Sequence, residues 1–140
     1  MARYLLDTNV LVYLLLKEKD NISKETNAII YDYNSQIFTS AIVVMEMVQL
    51  HRIGKIKSKD FKTAAELCNA IESEFFIKIL PFTEKHTRTL ATLKIADAHN
   101  DPFDHSIISH AITDKLILVS SDRKFNEYTN QKLNFAYNKR

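Results

Sequence analysis

Short apolar runs alternate with longer segments of helical character along the whole chain, and this alternation constrains the fold more than any other feature. Residues 3–6, 36–39, 77–80, 116–119 and 134–137 read as strands, the third closed by Pro81. A helical stretch follows the first. Ser23 is placed to cap a helix to about residue 34, and Ser40 to cap another that Gly54 ends at its C′ position. Residues 58–75 and 83–98 read as two further helices, and Asp101-Pro102 as an N-cap with proline at the first helical position, opening a helix to about residue 113. Strands separated by helices predict a mostly parallel sheet with helices on both faces, a three-layer α/β fold. Ligands on such sheets collect at the carboxyl ends of the strands.

Composition bounds the rest. At 140 residues and 46% apolar, the chain suits one globular domain over 1–140. A single cysteine, Cys68, allows no internal disulfide and no cysteine-rich zinc site, and suits a reducing compartment. The first apolar stretch, 4–16, contains Asp7 and Asn9 and is too short to span a bilayer. A cytoplasmic protein with no membrane association is expected. The one glycine excludes a P-loop or a dinucleotide fingerprint, both of which need several, so any site must be built from side chains. A net charge of +2 permits nucleic-acid binding without arguing for it.

Four acids stand in apolar company. Asp7 is the only formal charge between Arg3 and Lys17, and Glu46 the only one between Asp32 and Arg52. On a helix Glu46 shares a face with Ile42 and Ile53. Asp104 heads a helical stripe of Ile107, Ile108, Ala111 and Ile112, and Asp122 follows an apolar strand by two serines. An unpaired carboxylate in apolar surroundings costs several kcal/mol or loses its charge. The runs around Asp7 and Glu46 carry no lysine or arginine, so the economical shared partner is a hard divalent cation, Mg²⁺ or Mn²⁺. Each acid also has an ordinary explanation. Asp7 and Asp122 can cap helices, Asp104 can complete a capping box with Asp101, and Glu46 can pair with a distant arginine. Four together, two of them just past strands, favour one shared site.

Other features are weaker. The five histidines show no zinc spacing, and most are expected at the surface, with His105 able to face the site. Cys68 reads as a small core residue. Arg52, Lys55, Lys57, Lys59 and Lys62 form either a solvated face or a phosphate-steering patch, with Arg52, Lys55 and Lys57 the candidate contacts to a nucleic-acid backbone.

Leu5-Leu6-Asp7-Thr8-Asn9, Ser40-Ala41 through Met45-Glu46, Asp101-Pro102-Phe103-Asp104 and Ser120-Ser121-Asp122 resemble, in order and spacing, the acidic motifs of PIN domains, most closely those of VapC-type toxins. The resemblance spans essentially the whole chain, and its most specific part is Asp-Pro-Phe-Asp followed by a small, apolar helix. It implies a three-layer α/β fold, a Mg²⁺- or Mn²⁺-dependent endoribonuclease and a small cognate antitoxin; a homodimer is expected as well. Asp7, Glu46, Asp104 and Asp122 become the catalytic, metal-holding acids, with Asn9 and Ser120 as polar residues beside them. His105 and Ser121 stand where arginine is frequent in such toxins. Two rivals remain: a PIN-like module that binds without cutting, and an aspartyl-phosphate enzyme with Asp7 as nucleophile. The latter usually wants an aspartate where Asn9 stands.

Overall fold

The computed structural model describes residues 1–140. Five strands, β1 (Arg3–Leu6), β2 (Gln36–Ser40), β3 (Lys78–Leu80), β4 (Ile117–Ser120) and β5 (Asn134–Tyr137), form one sheet in the order β3-β2-β1-β4-β5. Every pairing is parallel. The strand order therefore reverses at β1 and β4, the point where an open parallel sheet leaves a crevice at its carboxyl edge. Successive residues of a strand face opposite sides of a sheet. Leu5 and Leu6 of β1 are both fully buried, as are Leu118 and Val119 of β4, so both faces are covered.

Six α-helices supply that cover: α1 (Thr8–Leu15), α2 (Lys24–Tyr31), α3 (Ala41–Arg52), α4 (Ala64–Ser73), α5 (Glu84–Thr92) and α6 (Pro102–Asp114). The expected three-layer α/β fold is borne out. Their starts follow the sequence closely. The Ser23 side chain caps α2, Ser40 caps α3 and Asp101 caps α6, each accepting an amide of the first turn. Gly54 takes φ 78° just beyond α3, the left-handed conformation that closes helices at little cost to glycine. No helix is long and apolar enough to cross a membrane.

Two expected helices are shorter than their sequences suggest. Residues 58–75 yield a helix only from Ala64. The Ser58 hydroxyl takes the amides of Asp60 and Phe61 into a turn, and Thr63 restarts the chain as a new cap. The helix expected over 83–98 stops at Thr92. Beyond it the Lys94 amide donates to Gln131 Oε1, the Gln131 amide donates back to the Lys94 carbonyl, and the Ala96 amide donates to the Tyr128 hydroxyl. These bonds strap the segment to the 3₁₀ helix Arg123–Gln131, and Ala98 turns the chain at φ 60°. That strap delivers His99 to the site described next.

Candidate active site: a carboxylate cleft at the strand ends

Asp7 begins where β1 ends, and its amide still extends the ladder by donating to the Val119 carbonyl (2.9 Å). Its side chain is 4% exposed at residue level and held on both oxygens. Oδ1 accepts the Thr8 amide at 2.7 Å, and Oδ2 accepts the Ser120 hydroxyl at 2.6 Å and the Asn9 side-chain amide at 3.4 Å. Asn9 also spans the gap between strands, donating to Ser120 Oγ (3.3 Å) and accepting the Ser121 amide (3.1 Å). Glu46 lies half-buried in the middle of α3 and accepts the Thr8 hydroxyl on Oε1. Its neighbour on the sequence-predicted face, Ile53, is 65% exposed instead, because α3 ends at Arg52 and the core side belongs to Val43 and Met47.

Asp104 sits in the first turn of α6, where the helix dipole favours a carboxylate. Its Oδ2 accepts His99 Nε2–H at 2.9 Å rather than returning to the Asp101 amide, so no capping box forms. Asp122 does cap, accepting the Lys124 amide on Oδ1 at 2.9 Å. Capping and site-building are thus compatible: Asp7 and Asp122 each use one oxygen for a helix start. Asp7, Glu46, Asp104 and Asp122 line one cleft of about 340 Å³, and Asp101 joins them. The Asp101-Pro102 pair marks Asp101 in sequence as a cap. The structure shows it serving both roles.

No lysine or arginine lines this cleft, and its acids carry the consequence. Burial pushes Asp7 up to about 7, with the charges of Asp104 and Glu46 adding, against the hydrogen bonds from Ser120 and Thr8. Burial likewise pushes Asp104 up to about 7, helped by the charges of Asp101, Asp122 and Glu46. Glu46 is raised as well, first by burial. Carboxylates this close resist sharing full charge without a cation. An all-oxygen, strongly acidic donor set with no imidazole free to ligate fits a hard divalent ion.

The histidines depart from expectation. His86, His99 and His110 are buried, at 4%, 2% and 0% exposure, because each is held by hydrogen bonds that replace water. His105 points its Nε2–H at the His99 carbonyl (2.6 Å) and stacks edge-on against that ring. At the far end of α6, His86 Nε2 and His110 Nε2 each lie 3.1 Å from Asp114 Oδ2. His86 Nδ1 accepts the Thr83 amide in a helix cap, so its Nε2 carries the proton and donates to Asp114. The basic run follows α3 on the surface. Arg52, Lys55 and Lys57 are exposed and unpaired, and Ile56 between them lines the acidic cleft. Cys68 packs half-buried in α4 against the core, where burial raises its thiol.

A family model for the PIN domain matches residues 4–131. This chain belongs to the PIN domain family. Among solved structures, it is similar to a chain of VapBC2 from Rickettsia felis bound to a fragment of promoter DNA, at 26% identity over 96% of this chain and 98% of that one (TM-score 0.66). VapBC-5 from Mycobacterium tuberculosis, a toxin–antitoxin system, shares the fold at 18% identity, 98% and 99% coverage and TM-score 0.63. FitAcB from Neisseria gonorrhoeae does so at 20% identity, 96% coverage of each and TM-score 0.56. No curated protein sequence matches the chain.

Proposed function

We propose that this protein is a metal-dependent endoribonuclease, the toxin of a type II toxin–antitoxin pair. The observation that carries the reading is a cleft of five carboxylates with no basic residue, in which Asp7 and Asp104 are pushed up to about 7. Asp7, Glu46, Asp104 and Asp122 are the residues that would hold Mg²⁺ or Mn²⁺. A divalent ion there supplies a bound water of lowered pKa and positive charge facing the phosphate oxygens. The chain's own part is to orient oxygens. Ser120, Asn9 and the Thr8 amide fix Asp7, while the Thr8 hydroxyl aims Glu46. Arg52, Lys55 and Lys57 lie close enough in sequence to the cleft-lining Ile56 to guide an RNA backbone toward it.

The partner reading rests on a groove of about 1020 Å³ lined by Tyr13, Ile22, Ile30, Tyr31, Phe75 and Phe76. Tyr31 and Phe76 are 70% and 84% exposed there, an apolar surface suited to burial against another chain. Tyr13 lines both this groove and the acidic cleft. An antitoxin segment lying in the groove can therefore pass Tyr13 and set an arginine against the carboxylates, silencing the site. The resemblance to VapBC structures supports this partner, and a homodimer is proposed beside it.

Purified, partner-free protein incubated with total RNA and Mn²⁺ should yield discrete cut ends, abolished by chelator and by Asp104→Asn. Metal uptake without any cleavage would leave a binding module instead. Co-expression with the neighbouring small open reading frame should give a stable complex that does not cut RNA.

A further inference from the structure

We infer that His99 and Tyr128 are positioning residues that aim the Asp104 carboxylate, an inference that rests on the proposed metal-dependent reading of the cleft. The arrangement is a buried chain of hydrogen bonds with its direction fixed. The Tyr128 hydroxyl is fully buried and accepts the Ala96 amide at 3.0 Å. Its only other polar contact is His99 Nδ1 at 2.7 Å, so the hydroxyl hydrogen goes there and Nδ1 is the acceptor. A neutral ring with an unprotonated Nδ1 must carry its proton on Nε2. That nitrogen faces Asp104 Oδ2 at 2.9 Å and donates to it.

Three further contacts hold the ring in place. His105 Nε2–H donates to the His99 carbonyl at 2.6 Å. Phe125 packs edge-on against the imidazole at a centroid separation of 6.0 Å, and Tyr128 at 5.5 Å. The His99 ring therefore has one orientation and one tautomer. One oxygen of Asp104 is occupied by a donor from the protein interior, which presents the remaining lone pairs to the cleft. Partners that orient a metal-binding side chain in this way commonly change metal affinity on the order of 10- to 100-fold when removed.

The test uses the full chain and Mn²⁺ as probe, read by calorimetric titration of the chelator-stripped protein, with cleavage kinetics alongside. His99→Leu keeps the apolar packing and removes the donor, and is expected to weaken Mn²⁺ binding by about tenfold or more. His99→Gln returns an amide N–H near the Nε2 position and should restore most of the lost affinity. Tyr128→Phe removes the tautomer lock and should fall between the two. Melting curves in chelator establish that each variant is folded. Nitrogen-15 spectra of the metal-free wild type should show the His99 Nε2–H tautomer, and observation of Nδ1–H overturns the inference. Equal losses in His99→Leu and His99→Gln also overturn it, because packing alone would then explain them. So does unchanged affinity in His99→Leu when the wild type binds. If the wild type takes up no Mn²⁺, the metal reading itself fails and this inference falls with it.

Discussion

The two ends of α6 carry the same pair of residue types to opposite purposes. At the amino end His99 sits 2.9 Å from Asp104, and at the carboxyl end His86 and His110 sit 3.1 Å from Asp114. By residue type and distance the second group is the better metal site, since its three ligand atoms lie within 4.8 Å of one another. Proton accounting reverses that ranking. His86 must keep its Nε2 proton because Nδ1 already serves as the acceptor in a helix cap. A metal there would have to break the cap. His110 is pushed down to about 4, first by burial and then by the neighbouring His86. One end of α6 gathers negative charge that only a cation relieves. The other holds His110, whose charging its burial resists.

The largest expected effect separates the ends by activity. Asp104→Asn should lower RNA cleavage by about three orders of magnitude or more, while Asp114→Asn leaves it within a few-fold of wild type. Combining Asp104→Asn with Glu46→Gln should add little, because residues acting as one unit lose their function together. Near-normal cleavage by Asp104→Asn would dissolve the distinction.

Acid should separate them by stability. His110 binds its proton less readily folded than unfolded, so its contribution is complete above about pH 6.5 and is lost as pH falls toward 4. The loss is about 3 kcal/mol over that window at 1.36 kcal/mol per pKa unit. Denaturant melts at pH 7 and pH 4 should show wild type losing about that much more than His110→Asn, which can keep an acceptor near Ser40. Equal losses would mean that burial does not hold His110 neutral.

Neutralising Asp7 works in the other direction. Its folded pKa is raised from 3.8 to about 7, so ionised Asp7 opposes folding increasingly from pH 4 and fully above pH 7. In chelator at pH 7.5, Asp7→Asn relieves this and gives up part of the hydrogen bonding from Ser120 and Thr8. The net gain should be about 1–2 kcal/mol, or roughly 3–8 °C in melting temperature. Millimolar Mn²⁺ should stabilise the wild type and do so less for the variant. A variant that melts lower in chelator, beside a wild type indifferent to metal, would return Asp7 to plain capping.

The sequence made some of this legible and hid the rest for physical reasons. Strands and caps were readable because periodicity and cap chemistry are local: Ser23, Ser40, Asp101 and Gly54 act within a turn of themselves. The convergence of Asp7, Glu46, Asp104 and Asp122 was readable because charges inside apolar runs need a partner. His99 was not. It lies past a helix that the pattern extended to residue 98, and what ends that helix is Gln131 and Tyr128, more than thirty residues away. The burial of His86 and His110 is hidden for a similar reason, since Asp114 lies 28 residues from His86 and Ser40 lies 70 residues from His110. Asp101 was visible as a cap, and its second role depends on where α6 points.

The smallest expected effect concerns what reaches the acidic end from outside. Arg52, Lys55 and Lys57 are exposed and free of ion pairs, whereas Lys17 is engaged with Asp60 at 3.0 Å. Unpaired surface cations are either solvated or held in reserve for a polyanion. The two possibilities differ in how binding responds to salt. Each phosphate neutralised on a single strand releases counterions and contributes about 0.7 to the slope of log affinity against log salt. If Lys55 and Lys57 each track one phosphate, Lys55→Glu with Lys57→Glu should weaken RNA binding several-fold at low salt and flatten that slope by about 1 to 1.5. The measurement is best made with cleavage silenced by Asp104→Asn, so that bound RNA stays intact. Folding should be untouched, because none of these side chains is buried or paired. An unchanged slope would assign the run to a solvated face, and RNA would then have to approach the carboxylates from another side of the cleft.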